Sequence, residues 1–248
     1  MLSEDSIYLF GEPNCEMADE LLQADTKEKL EKFAKEYPSI LLYSVKRYIP
    51  LTLKDFNAMR TVLVKALEFA TAADDCSLHN PESLKEIGIN ITRYEEEYLI
   101  GLNIQLEQCE YKKWIEQQEN NFITKDIYNY PTMLFSEDEV YEYAAKTAFD
   151  EIVSFHLRNV HLISSNKKMG FSLVSNSIEA LWLGVLEKSS GKDSYIGICK
   201  NCGKPFFAEK ARSHKREFCN NGGKCKDAYN NKRKAEKRKE QNNGKNEK

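Results

Sequence analysis

The chain's 248 residues suffice for one large domain, or for a medium domain carrying a small appendage, and its 41% hydrophobic and 30% charged residues exclude fibrous and disordered classes. No run approaches the roughly 18 apolar residues of a membrane-spanning helix, and the start MLSEDSIYLFGEP lacks a signal peptide's basic and apolar regions, so a cytoplasmic protein with no membrane association is expected. The net charge of −3 conceals a division, because residues 199–248 hold 16 Lys+Arg against 6 Asp+Glu (+10) while residues 1–198 hold 20 against 33 (−13), the pattern of a basic arm on an acidic body.

In chain order, EMADELLQADTKEKLEKFA from Glu16 predicts one or two helices, with Leu21, Leu22, Leu30 and Phe33 on compatible faces. Tyr37-Pro38 closes them, since the residue before a proline is pushed out of helical geometry. SILLYSVKRYI has the β-branched and aromatic content of a strand, with a buried helix end as the alternative. Over residues 53–73, Phe56, Met59, Val62, Leu63, Leu67 and Phe69 recur at three- and four-residue intervals, as on a core helix. DDCSLHNPES breaks it, and a further helix is expected through TRYEEEYLIGLNIQLEQCEYKKWIEQQ. Ser136 with Glu139 forms a capping-box pattern at the start of a helix running through SEDEVYEYAAKTAFDEIVSFHLRNVHL. The body's last helix is expected at about 171–188, and SSGKDS reads as a linker.

The expected fold is therefore mainly α. An acidic helical body, residues 1–190, precedes a small module at 195–240, and the biased stretch 241–248 reads as a disordered tail.

Four of the seven cysteines fall in that module: Cys199-Lys-Asn-Cys202-Gly203, then Cys219 and Cys225. An odd number of thiols without a secretion signal argues against a disulfide framework. Zn²⁺ takes four sulfur or nitrogen ligands in a tetrahedron, and a two-residue spacer lets one pair converge from a single turn. Gly203 supplies the backbone freedom such a turn uses. Pro205-Phe206-Phe207 suggests a short hairpin whose aromatic rings cover the site, and Cys225 stands where a helix begins, an arrangement resembling a treble clef. Cys199, Cys202, Cys219 and Cys225 are the expected ligands of one structural zinc, with His214 as an alternative to Cys219. Four protein ligands leave no open coordination position for catalysis.

The order Cys-x-x-Cys-Gly, Phe206 or Phe207, Lys215-Arg216, Phe218-Cys219 and Cys225 before a basic helix resembles the CGNR-type zinc finger of bacterial transcription regulators and their uncharacterised relatives. The resemblance spans about 40 residues. It implies zinc, a treble-clef-like shape and DNA binding. In this chain Lys226-Asp227-Ala228 follows Cys225, in place of the Gly-Asn-Arg of the finger's name.

After Cys225, Lys226, Lys232, Arg233, Lys234, Lys237 and Arg238 crowd a predicted helix; with Lys215 and Arg216 they are the candidate contacts to the phosphates of DNA or RNA. The competing reading of such a run is a solvated tail paired with the acidic body. No GxGxxG, Gly-Lys-Ser/Thr, HExxH or GxSxG occurs. His156 and His161 are expected on one helix, with Arg158 between them and Asp150 and Glu151 a turn or two earlier, a cluster that could serve acid/base cleavage of RNA. Nucleic-acid binding, with transcriptional regulation as its context and a body that senses a ligand or forms a homodimer, is the leading expectation. The alternatives are a protein-interaction module stapled by zinc and a helical ribonuclease using His161.

Overall fold

The computed structural model describes residues 15–38, 41–44, 47–94, 97–118, 121–123, 126–131, 136–158, 160–164, 171–174, 177–190, 194–209, 216–219 and 223–246. The protein is mainly α, as expected, with small antiparallel sheets inserted between its helices.

The centre is α3 (Leu53–Asp74), which packs most extensively on α6 (Glu137–Leu157). Val62, Leu63, Ala66, Leu67 and Phe69 of α3 are fully buried. Apolar residues cover so wide an arc because the helix is enclosed on several sides and not laid on a surface. Ala144, Ala145 and Ala148 give α6 a small-residue face, which lets the two backbones approach closely. Both helices begin with a capping box, Thr52 with Asp55 and Ser136 with Glu139, so the backbone donors of each first turn find acceptors.

Around this pair lie α1 (Cys15–Gln23), α2 (Lys27–Glu36), α4 (Pro81–Ile87), α5 (Glu110–Glu116) and α7 (Ser177–Ser190). Thr26 caps α2, and the chain leaves it at Tyr37. Two buried polar connections fix the packing. Asp55 Oδ2 accepts from Thr52 N and Oγ1 at 2.8 and 2.6 Å, while its Oδ1 accepts from Tyr111 N at 2.8 Å, joining the starts of α3 and α5. The Tyr111 hydroxyl meets His156 Nε2 at 2.6 Å, and that imidazole stacks on Trp182 at 4.2 Å, tying α5 to α6 and α7.

Strands occupy three stretches of the body, two of them where a helix is expected. Within SILLYSVKRYI, β1 (Leu41–Ser44) pairs with β2 (Arg47–Pro50), in accord with its strand reading. The helix expected from Thr92 to Gln118 is instead β3 (Ile89–Tyr94) and β4 (Glu97–Leu102), paired in a meander with β5 (Asp126–Pro131), and only α5 is helical. Tyr98, Ile100 and Leu102 are buried and Glu97 is exposed, so the two-residue period of a half-buried strand outweighs the helix preference of the glutamates. Finally, α6 ends at Leu157 and the expected helix at 171–188 starts only at Ser177, because His161–Ser164 (β6) and Phe171–Val174 (β7) pair with each other. His161 therefore opens a strand and does not share a helix with His156.

At the C-terminus, β8 (Ser194–Ile198) and β9 (Pro205–Glu209) form a hairpin, and α8 (Lys224–Asn246) follows, continuing through most of the 241–248 stretch. Among the described residues no helix is long and apolar enough to cross a membrane.

Candidate metal centre

Cys199 and Cys202 lie in the turn that joins β8 to β9. Cys199 N donates to Lys204 O at 2.9 Å and Gly203 N to Cys199 O at 2.8 Å, so the four-residue knuckle is closed by its own backbone. Gly203 adopts φ +67°, a left-handed conformation that a residue with a Cβ takes only at a cost.

The hairpin presents two faces, because successive side chains of a strand alternate. Phe206 and Ala208, with Tyr195 across the sheet, pack around Cys199 and Cys225; Phe207 and its cross-strand neighbour Ile196 point the other way, into the core of the body. Gly197 leaves room for the ring of Phe206, since a Cβ there would stand 3.0 Å from Phe206 Cζ.

Cys219 follows Phe218, whose ring lies 5.4 Å from that of Tyr229 on α8, and Cys225 is in the first turn of α8. The four sulfurs come within 4.8 Å of one another, with Cys202–Cys219 at 3.8 Å and Cys219–Cys225 at 3.5 Å. A disulfide holds its sulfurs at about 2.05 Å, so these are free thiols. Around an ion bound by four sulfurs at about 2.3 Å, a tetrahedron spaces the sulfurs about 3.8 Å apart, and the Cys202–Cys219 and Cys219–Cys225 separations are close to that spacing. The sequence-derived ligand set thus converges on one point able to hold one metal ion.

The electrostatics suit a cation. Burial pushes the Cys199 thiol up, but backbone N–H groups of Cys219, Cys202 and Asn201 outweigh it and hold this thiol at about 6. Burial and the neighbouring thiols of Cys225, Cys199 and Cys202 raise Cys219 well above the ordinary range, and burial likewise raises Cys202. Four sulfurs this close cannot all ionise unless a positive ion sits among them, and its binding displaces their protons.

The centre is strapped to the body. Lys204 Nζ reaches Asp25 at 2.6 Å, and Lys204 with Lys29 holds the Asp25 carboxyl well below the usual carboxylate range. Lys188 pairs with Asp19 and lies 5.2 Å from the Phe207 ring. Around the knuckle, Lys200 pairs with Glu217 at 2.5 Å and the Tyr195 hydroxyl donates to Arg216 O at 3.0 Å. Sequence reading passed over these contacts. Lys204 and Asp25 lie 179 residues apart, and no local pattern joins them.

Of the basic candidates, Arg216 is exposed, packs 5.6 Å over the Phe206 ring and donates to Phe218 O. Lys226, Lys232, Arg233, Lys234, Lys237 and Arg238 are exposed on α8, and none has an ionic partner among the described residues. Lys226, Arg233 and Lys237 recur at intervals of seven and four residues, within about 40° of one another on a helix of about 3.6 residues per turn. Lys234 and Arg238 extend this strip, while Lys232 lies on the flank shared with Cys225. Lys215 and the alternative ligand His214 lie outside the described residues, as does the His161 side chain. His156 is 2% exposed and already bonded through both ring nitrogens, to Tyr111 and to Ile152 O, so it is a core residue.

No family model, curated protein or solved structure matches this chain.

Proposed function

We propose that the chain is a zinc-organised nucleic-acid-binding protein, with the regulator role that its C-terminal resemblance suggests. The observation that carries this reading is α8. It is a long, exposed helix on which Lys226, Arg233 and Lys237 share one line with Lys234 and Arg238 beside it; among the described residues these have no ionic partner and α8 has no extended packing on another helix or strand, being rooted at Cys225 and Tyr229. The like-charged pairs Arg233–Lys237 and Lys234–Arg238, four residues apart, cost a few tenths of a kcal/mol each in the free helix. A polyanion relieves that repulsion and releases its own counterions on binding. The body, at −13, repels phosphate and confines the contact to the module. Zinc suits four thiolates without an open position, and its role here is structural.

Fluorescence anisotropy of labelled DNA and RNA across a salt series, with the full chain and with residues 226–248 removed, tests the reading. The full chain should bind with a steep salt dependence that the deletion abolishes; binding that survives deletion, or none in the full chain, defeats it.

A second reading is favoured by Phe207 and Ile196, which enter the body's core: the metal staples the C-terminus onto a protein-interaction surface. It predicts no nucleic-acid affinity, so the same titrations separate the two.

A further inference from the structure

Between the knuckle and the body lies a cavity of about 130 Å³, lined by Leu22, Gln23, Asp25, Phe206, Cys202 and Cys219 among others. Its size decides what it admits. Small-molecule sites run from about 300 Å³, so this space is too small for a ligand of that kind, yet it takes a water-sized solute with ease. Its acids are also already paired, Asp25 with Lys204 and Lys29 and Asp19 with Lys188, so no uncompensated charge calls for an ionic ligand. What the cavity does provide is access to sulfur.

The four cysteines are unequal in this respect. Cys202, Cys219 and Cys225 all line the cavity, but Cys199 and Cys225 are buried, at 1% and 6% exposure, whereas Cys202 is exposed and Cys219 half-buried; the Cys219 sulfur stands 3.8 Å from that of Cys202 and 3.5 Å from that of Cys225, so exposure and not distance selects the pair. Reactivity follows thiolate character and access, and a metal-bound cysteine is a thiolate.

We infer that the metal centre is a peroxide-sensitive switch that opens through Cys202 and Cys219. This inference rests on the reading of the site as a zinc centre. The Cys202 thiolate attacks hydrogen peroxide: an S–O bond forms, the O–O bond breaks, and hydroxide leaves to be protonated by solvent. The Cys219 thiolate then attacks the sulfenic sulfur of Cys202; the S–S bond forms, the S–O bond breaks, and the second oxygen leaves as water. Two thiolates lose two electrons in all, and one peroxide with two solvent protons becomes two waters. Zn²⁺ is left with Cys199 and Cys225 alone and dissociates. The root of α8 is lost with it, because Cys225 joins that helix to the module through the ion.

The test treats the full-length protein with hydrogen peroxide, follows zinc with a chromogenic chelator and maps the cysteines by mass spectrometry. About one equivalent of zinc should leave in step with a Cys202–Cys219 disulfide, and a Cys76→Ser protein, lacking an exposed thiol outside the cluster, should behave like the parent. Cys202→His keeps four ligands but removes the accessible thiolate, and should lose zinc at least about tenfold more slowly. Zinc retained while other residues oxidise, a disulfide that leaves Cys202 reduced, or equally fast loss from Cys202→His overturns the inference. Should the histidine variant fail to fold, the map of the parent chain decides. A preparation that holds no zinc before peroxide is added refutes the zinc reading itself, and this inference with it.

Discussion

His156 shows how much a single buried residue constrains. Its Nδ1 donates to Ile152 O at 2.7 Å, which leaves Nε2 to accept from the Tyr111 hydroxyl, and the ring stacks on Trp182. Burial, with a smaller contribution from Arg158, lowers its pKa from 6.5 to about 3. Between those values the unfolded chain binds a proton that the folded one excludes. The stability due to this group is therefore complete above pH 6.5 and falls by about 1.4 kcal/mol per pH unit as pH drops toward 3. Urea unfolding between pH 7 and pH 4 should show that slope, and His156→Phe should flatten it. The same variant should be less stable at pH 7, because the buried Tyr111 hydroxyl is left without an acceptor, at about 1–3 kcal/mol. Asp55 is a second such point. Burial pushes its carboxyl up, but donors from Thr52 and Tyr111 outweigh burial and keep it ionised. Asp55→Ala removes the α3 cap and orphans the Tyr111 amide, and should lower the unfolding free energy by about 2–4 kcal/mol.

Among the elements, the β8–β9 hairpin decides how the metal centre relates to the body. Among the contacts that cross that junction, an ion pair and a buried ring differ in magnitude. Lys204–Asp25 is a partly exposed ion pair worth at most about 1 kcal/mol. Phe207, buried in the body's core, is worth about 3–5 kcal/mol if truncated. Phe207→Ala should therefore loosen the module, seen as faster hydrogen exchange in β8 and β9, while Lys204→Ala leaves exchange there nearly unchanged. Legibility in the sequence varies among the elements for physical reasons. Helix α3 was readable from its core spacing alone, and α6 because core spacing and a capping box coincide in one local stretch. The ligands were readable because Cys-x-x-Cys is a local pattern. Strands β3, β4, β6 and β7 were not, since their stability resides in pairing partners that no short window contains, and Glu97 carries a helix preference that pairing overrides. The alternating roles of Phe206 and Phe207 became definite only with the register of the hairpin, which sets one toward the cysteines and the other toward the core.

For the molecule as a whole, the question is what a long polar helix does when, among the described residues, only its first turns are packed. Isolated helices of ordinary composition are marginal in water, and most helical stability comes from packing an apolar face. α8 packs only through its first turns, so its order depends on the metal centre that fixes Cys225, and removing the metal should be felt along the helix. Treatment with a strong chelator should abolish hydrogen-exchange protection from Lys224 onward while α3 and α6 keep theirs. Equal protection with and without metal would mean that α8 stands by itself. The basic strip makes a second, quantitative demand. Each phosphate neutralised on duplex DNA contributes about −0.9 to the slope of log affinity against log salt. If Lys226, Arg233 and Lys237 each meet one phosphate, then K226A/R233A/K237A should flatten that slope by about 2.7 and leave zinc content unchanged, because none of the three is a ligand or touches one of the packed aromatic rings. Lys232→Ala, on the flank shared with Cys225, should change the slope by less than one phosphate's share. A triple variant with the parent's slope would assign the charge of α8 to solvation, and the C-terminal module to holding the chain's own elements together.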